Sequence, residues 1–302
     1  MPSRITQESM SRTTLSNIKL NFKKMQEIQE KMSSGKQINR PSDDPSGARK
    51  VLGLKTEILQ IDQFVDNAKT AQQQMEYTSS ALENIQEILS KVNELAIQAS
   101  NDTLSQAERK IQARELDQMI ESVLQFANMD NDGRFVFSGT KTFTVAFTAT
   151  YTNGNISGVT YNGNNEEIKY QVGASSYVKT NLPGGAFFND KKIFSNLISM
   201  RDALDASSFN ASAFSSLRQD LATAIDAVSS EVTKFGAKQN RLEITVNRLE
   251  ETKISMRELI SNTEDIDVAS LVMDLKNQEN ILQSSLQTGA RVIQPTLLDF
   301  LR

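Results

Sequence analysis

The chain has 302 residues, 38% hydrophobic and 23% charged, with a formal net charge of −4, a balance shared by globular and fibrous proteins. So small a charge gives no global attraction to nucleic acid or to acidic membranes. Cys, His and Trp are absent, which excludes disulfides, thiolate metal sites and cysteine nucleophiles and removes the commonest general base and metal ligand.

With aromatic residues at 6%, an aromatic-lined cofactor pocket is not expected. The opening Met1–Thr6 lacks the apolar core of a signal peptide. No run approaches the roughly 18 apolar residues of a membrane span. Neither a cleavable signal nor membrane insertion is therefore expected.

Taken in order, Ser11 to Met32 carries Leu15, Ile18, Phe22, Met25 and Met32, with Gln29 between the last two, at steps of three and four, which predicts a first helix. It stops at Ser33-Ser34-Gly35, with Gly35 as the C-terminal cap. A polar elbow follows, and Asp44-Pro45 starts the next helix. The carboxylate caps free N–H groups, and Pro occupies the first helical position, where no N–H is needed. This second helix runs to Ser100 on a seam of Val51, Leu54, Ile58, Ile61, Val65, Ala68, Met75, Leu82, Ile85, Leu89, Val92, Ala96 and Ala99. Ile88 and Leu95 add a second stripe, so its far end should meet more than one helix. Ser105 to Glu108 has the form of a capping box with Leu104 as staple. The third helix it opens reaches Met129 with a broad apolar arc from Leu116 to Ala127.

At Asn131-Asp132-Gly133 the texture changes. Arg134 to Asp190 is rich in Thr, Gly, Asn and Tyr, and strands are expected at Phe135–Phe137, Val145–Tyr151, Val159–Tyr161, Ile168–Val172 and Tyr177-Val178. Asn153-Gly154 and Asn162-Gly163 read as hairpin turns, since both residues of a type I′ turn need positive φ.

A short helix, Ile193–Leu204, leads back to the longest seam of the chain. Leu221, Ile225, Val228, Val232, Phe235, Gln239, Leu242, Val246, Leu249, Lys253, Met256 and Ile260 step four and three without a slip. The helix that carries them is roughly 70 Å long and needs a partner of similar length. The second helix is that partner. Gln239 and Lys253 are either register devices or places where a neighbouring subunit meets the seam. A second elbow, Asn262 to Asp267, precedes a last helix with Val268, Leu271, Leu275, Leu282, Leu286 and Ile293, then Pro295 and the apolar Leu297–Leu301.

The fold class expected is mainly α: a long antiparallel, coiled-coil-like helical-bundle rod with a small inserted β domain. The expected division is 1–44 plus 265–302 for the terminal helices, 45–133 plus 191–264 for the long-helix bundle, and 134–190 for the insert. The terminal helices have one seam each and no third layer, so they should order only when neighbouring subunits cover them.

Competing motifs are weak. Ser33–Lys36 and Ser138–Lys141 fit S-x-x-K, but the companion patterns of serine enzymes are missing. Gly133–Lys141 lacks phosphate-loop spacing. Asp43-Asp44 and Glu264-Asp265-Asp267 read as caps and as elbow ion pairs with Lys36 and Arg40, not as a metal or acid–base site. The sequons at Asn101, Asn155 and Asn210 read as chance. No cofactor is expected.

Four segments resemble the bacterial flagellin family. Lys31–Ala48 (KMSSGKQINRPSDDPSGA) is similar to the family's first elbow, Gly236–Leu242 (GAKQNRL) to its mid-helix patch, Thr263–Ala269 (TEDIDVA) to its second elbow, and the C-terminus is Leu-rich in the same way. Gly133–Thr142 (GRFVFSGTKT) and Leu182–Phe188 resemble the hook-associated members of the family, although Ala146-Phe147 stands where those often have Pro-Phe.

The resemblance implies a structural subunit, not an enzyme, that joins hook to filament in the extracellular flagellum. It would be exported through the flagellar type III apparatus and ordered on assembly. The implied partners are copies of itself in a ring, the first hook-associated protein, flagellin, and an export chaperone at the C-terminal helix. Terminal helices would lie innermost and the insert outermost. Assembly contacts are expected at Leu15, Ile18, Phe22, Met25, Arg40, Asp43, Asp44, Gln239, Asn240, Arg241, Glu264, Asp265, Asp267, Leu275, Leu282 and Leu286. Flagellin itself, the filament subunit, is the alternative within the family. Outside it stand a self-contained coiled-coil adaptor and a surface glycan-binding or hydrolytic protein.

Overall fold

Helices dominate, and they fall where the heptad steps put them. The structure, a computed structural model, describes residues 7–100 and 104–293. Asn101–Thr103 and the segment from Pro295 to Leu301 lie outside the described residues, as does the side chain of Ile293. The helices are α1 (Gln7–Ser34), α2 (Pro45–Ala99), α3 (Gln106–Ala127), α4 (Ile193–Asp205), α5 (Ala211–Glu264) and α6 (Val268–Ile293). Between α3 and α4 lie strands β1 (Asp130–Asn131), β2 (Arg134–Phe135), β3 (Phe147–Thr152), β4 (Asn155–Tyr161), β5 (Lys169–Gly173) and β6 (Ser176–Lys179). The fold is therefore mainly α, with long helices and a small strand-containing insertion.

The local signals act as expected. Gly35 takes φ 71° and ends α1. Asp44 Oδ1 accepts the Ser46 N–H at 2.9 Å ahead of α2. At α3, Ser105 Oγ accepts from the Glu108 N–H while the Glu108 carboxylate accepts from the Ser105 N–H at 2.7 Å, the reciprocal capping box.

The chain divides into two compact units, Met1–Gln60 with Thr252–Arg302, and Ile61–Glu251. The second holds the core. Met75, Leu82, Ile85 and Leu89 of α2, Leu116 and Ile120 of α3, Leu197 and Met200 of α4, and Leu221, Val228, Phe235 and Leu242 of α5 are buried in one continuous cluster. Along α5 the seam keeps its register: Leu221, Val228, Phe235 and Leu242 are buried, with Ile225, Val232 and Gln239 half-buried between them. Beyond Leu242, Val246, Leu249, Lys253, Met256 and Ile260 are all half-buried, because α3, α4 and the strands build the core beside the earlier turns.

The strands form three two-stranded antiparallel sheets among the described residues. Asn153 and Gly154, at φ 54° and 88°, make the expected two-residue hairpin between Thr152 and Asn155. Asn162-Gly163 does not turn a hairpin. The Asn162 N–H donates to the Ala146 carbonyl at 2.9 Å and the Asn164 N–H to the Ser138 carbonyl at 3.1 Å, which pins the segment flat. Gly163 is needed there because a Cβ would collide with Tyr161 and the Ser138 carbonyl. Asp132-Gly133, at φ 51° and 74°, turns β1 into β2 instead.

Of the expected Phe135–Phe137 strand only Phe135 pairs with β1, together with Arg134 before it; Val136 and Phe137 turn inward. Phe137 meets Phe188 edge-on at 5.3 Å, and Phe147 packs against both Phe188 and Phe194 of α4 at 5.0 and 5.3 Å. Polar ties complete the join. The Asn128 side chain, just past α3, bonds both the N–H and the carbonyl of Phe147 at 2.7 Å. Arg201 of α4 reaches Asp117 of α3 at 2.7 Å and the Ile156 carbonyl of β4 at 2.5 Å. The insert thus shares its core with the flanking helices.

Leu242→Asp should place an unpaired charge in this core and cost at least about 3 kcal/mol, lowering the thermal midpoint by roughly 10 °C. Ile244→Asp, two residues on at a position 69% exposed, should leave the midpoint within about 2 °C. Circular dichroism melts of the two variants decide it; equal melts would mean the seam at Leu242 is not buried.

Candidate assembly site at the elbows and terminal helices

The unit Met1–Gln60 with Thr252–Arg302 gathers both elbows and both terminal helices. At its centre the two chain connections cross. The Gln37 N–H donates to the Glu264 carbonyl at 2.6 Å and the Ile266 N–H to the Gly35 carbonyl at 3.2 Å, with Lys36 and Asp265 as bridge partners. The Glu264 side chain, in a residue only 7% exposed, accepts from Lys36 Nζ at 2.7 Å and from Lys55 Nζ at 3.0 and 2.8 Å.

The other elbow carboxylates each have a donor. Asp43 Oδ2 accepts the N–H groups of Asn39 and Arg40 at 3.1 and 2.9 Å, and the Arg40 N–H bond is the main reason its carboxyl lies below the usual range. Asp265 Oδ2 accepts from Ser261 Oγ at 2.6 Å, and Asp267 Oδ1 caps α6 through the Ala269 N–H at 3.0 Å. The expected pairing of Lys36 with the second elbow is present. The Arg40 guanidinium instead binds Glu30 at 2.8 Å, because the Arg40 main chain, not its side chain, faces Asp43. Lys55, nearly three turns into α2, gave no signal in the sequence as a partner of the elbow.

α1 and α6 pair antiparallel: Asn21 Nδ2 donates to Ser285 Oγ at 2.8 Å and Gln278 Nε2 to the Asn21 carbonyl at 3.0 Å. Gly289 allows close approach, since a Cβ there would lie 2.9 Å from Ile18 Cδ1. The seam of α1 is shifted from the expected one. Its half-buried positions include Thr14, Ile18, Asn21, Met25, Ile28 and Met32, while Leu15 and Phe22 are 46% and 48% exposed. On α6 the inward positions are Leu271, Leu275, Gln278, Leu282, Ser285 and Gly289, and Leu286 is 51% exposed. Both stripes satisfy the heptad, and the polar pairs Asn21–Ser285 and Gln278–Asn21 select the less apolar one. Leu15, Phe22 and Leu286 therefore point away from the helix pair.

Gln239, Asn240 and Arg241 belong to the other unit. Gln239 is half-buried and its two neighbours are exposed. Beside them Lys238 Nζ lies 4.8 Å from the Phe235 ring centre, and burial, then the nearby Lys179, push its ammonium below the usual lysine range. Neither S-x-x-K pattern holds a free base and nucleophile: Lys36 is committed to Glu264, and Ser138 Oγ donates to the Phe135 carbonyl at 2.9 Å.

Capped elbows, a helix pair with exposed apolar residues and no free base beside a nucleophile in either S-x-x-K pattern are features of a structural protein. The chain belongs to the bacterial flagellin family: it matches the flagellin N-terminal helical region over residues 5–142 and the C-terminal helical region over residues 219–301. Members are structural proteins of the bacterial flagellum, and this chain is a flagellar structural protein, not an enzyme. It is 29% identical over 262 residues to flagellar hook-associated protein 3 of Escherichia coli, covering 86% of this chain and 75% of that one. It is 25% identical over 271 residues to a flagellin of Halalkalibacterium halodurans, covering 90% and 88%. Among solved structures, a flagellar hook-associated protein of Vibrio parahaemolyticus shares the fold with a TM-score of 0.66 at 21% identity, over 74% of this chain and all (100%) of that one. No helix among the described residues is long and apolar enough to cross a membrane.

The elbow carries a pH signature. Burial opposes ionisation of Glu264, but hydrogen bonds from Lys36 and Lys55 outweigh it and hold the carboxyl below the usual range. The bond to Glu264 raises the Lys36 ammonium. A depressed carboxyl stabilises above its unfolded value, about 4.3, and loses that contribution as pH falls through its folded value. A raised ammonium stabilises below about 10.4 and loses it as pH rises through its own folded value. Amide NMR signals of Gln37 and Ile266 should stay unchanged between these limits and shift together below the lower one. Movement near neutrality would contradict this account.

Proposed function

We propose that this chain is the subunit that joins hook to filament in the extracellular part of the flagellum. The observation that carries an assembly role is the contrast between its two units. Among the described hydrophobic residues of Met1–Gln60 with Thr252–Arg302, only Val51 and Leu271 are buried, whereas Leu15, Leu20, Phe22, Val272, Met273, Ile281 and Leu286 are exposed. A helix pair with this much apolar surface in water lacks a layer. Copies of the same chain supply it in this reading, as a ring between the first hook-associated protein and flagellin.

The residues that resemble hook-associated members support the junction over the filament. Gly133–Thr142 carries the Phe135 N–H to Thr142 carbonyl bond at 2.7 Å and the Phe137 carbonyl that accepts from Gly184 N at 2.7 Å and Tyr161 Oη at 3.0 Å. The motif therefore builds the way into the insert. On this reading residues 1–44 and 265–302 are the inner, assembly-dependent part. The long helices of 45–133 and 191–264 form the next layer, and 134–190 faces outward. Contacts between subunits fall on Leu15, Phe22 and Leu286 and around Gln239–Arg241. A chaperone covers the C-terminal helix before export through the type III apparatus. Flagellin proper is the second reading, favoured by the 88% coverage of the Halalkalibacterium protein.

A deletion strain separates the two. Intact hooks that shed flagellin monomers into the medium are expected; normal hooks with junction proteins but no flagellin anywhere would establish the filament subunit. For the free chain, limited proteolysis should cut α1 and α6 first and leave a fragment spanning the core of Ile61–Glu251. Terminal helices as resistant as that core would remove the assembly-dependent reading.

A further inference from the structure

Glu264 is the last residue of α5, and α6 begins at Val268. Its main chain thus leads into one terminal helix, while its carboxylate holds Lys36 at 2.7 Å, on the connection to the other. The same carboxylate holds Lys55 of α2 at 2.8 Å. The other hydrogen bonds between the two connections among the described residues are the Gln37–Glu264 and Ile266–Gly35 backbone bonds, and neutral hydrogen bonds contribute little net stability. Bonds from ammonium groups to a carboxylate are roughly twice as strong as neutral ones, and this carboxylate is nearly sealed from water.

We infer that Glu264 is a positioning residue for assembly. By holding Lys36 and Lys55 it fixes the direction in which α1 and α6 leave α2 and α5, so their outward apolar stripes meet the next subunit together. The inference rests on the assembly reading above. It adds that neither terminal helix is presented correctly unless the other is tied to it at this point.

The test uses full-length chains in the deletion strain. Glu264→Gln should leave the main melting transition, that of the Ile61–Glu251 core, in place, and should reach the medium in normal amounts. Attached filaments should nevertheless fall by about tenfold or more, as loss of a buried charged hydrogen-bond partner allows. The double variant Lys36→Gln/Lys55→Gln should behave alike, and it replaces the first variant if that one fails to fold.

The decisive arm is rescue by a tether. Lys36 and Asp265 are antiparallel bridge partners, and such partners place their Cα atoms about 4.5–5.5 Å apart, within disulfide reach. The natural chain has no Cys, so Lys36→Cys/Asp265→Cys added to Glu264→Gln can form one specific bridge after export. Filaments should return in oxidising medium and be lost again with reductant. Wild-type filament numbers in Glu264→Gln, or a tethered chain that stays defective, would overturn the inference. A deletion strain that sheds no flagellin would instead refute the junction reading before any variant is made.

Discussion

An apolar stripe on a long helix must be covered, and this constraint orders the whole molecule. α2 and α5 are 55 and 54 residues long, far more than local propensity can hold straight and single in water. Within Ile61–Glu251 the stripes are covered by α3, α4 and the inserted strands, and their central residues are buried in one continuous cluster. Among the described residues of Met1–Gln60 and Thr252–Arg302 the same kind of stripe leaves many apolar residues exposed. One physical rule therefore yields a finished core in one unit and an unfinished one in the other. The family's structural role follows from the unfinished part.

Polar contacts then do what apolar burial cannot, which is to choose among arrangements. Asn21, Gln278 and Ser285 select which of two heptad stripes of α1 and α6 faces inward. Arg201 ties α4 to α3 and β4 through Asp117 and the Ile156 carbonyl; removing Arg201 would leave the Asp117 carboxylate charged in a nearly dry site. Glu264 plays the same part at the crossing of the connections. None of these contacts adds much apolar surface. Each removes an alternative packing that hydrophobic burial alone would tolerate.

The helices were legible because their signals are local. Asp44-Pro45, the Ser105–Glu108 box and Gly35 sit beside the backbone groups they satisfy, and the heptad steps repeat over dozens of residues. Hairpins were half legible. Asn153-Gly154 turns where its neighbours permit pairing, whereas the like-looking Asn162-Gly163 is held flat by Ala146 and Ser138, residues its own dipeptide does not encode. The site was legible as segments and not as contacts: the second elbow pointed to Lys36 but not to Lys55, which lies 209 residues away from Glu264.

By itself, the sequence determined that long helices form, where they are capped, that strands interrupt them, and that chemistry needing Cys or His is out of reach. Those properties depend on residue type and on neighbours within a turn or two. The tertiary structure alone decided that the insert joins the helical core, how far the α5 seam closes, and that Leu15, Phe22 and Leu286 face outward in place of Thr14, Asn21 and Ser285. Two stripes on one helix obey the same periodicity, so only the partner's polar groups can break the tie, and the partner is more than 250 residues distant.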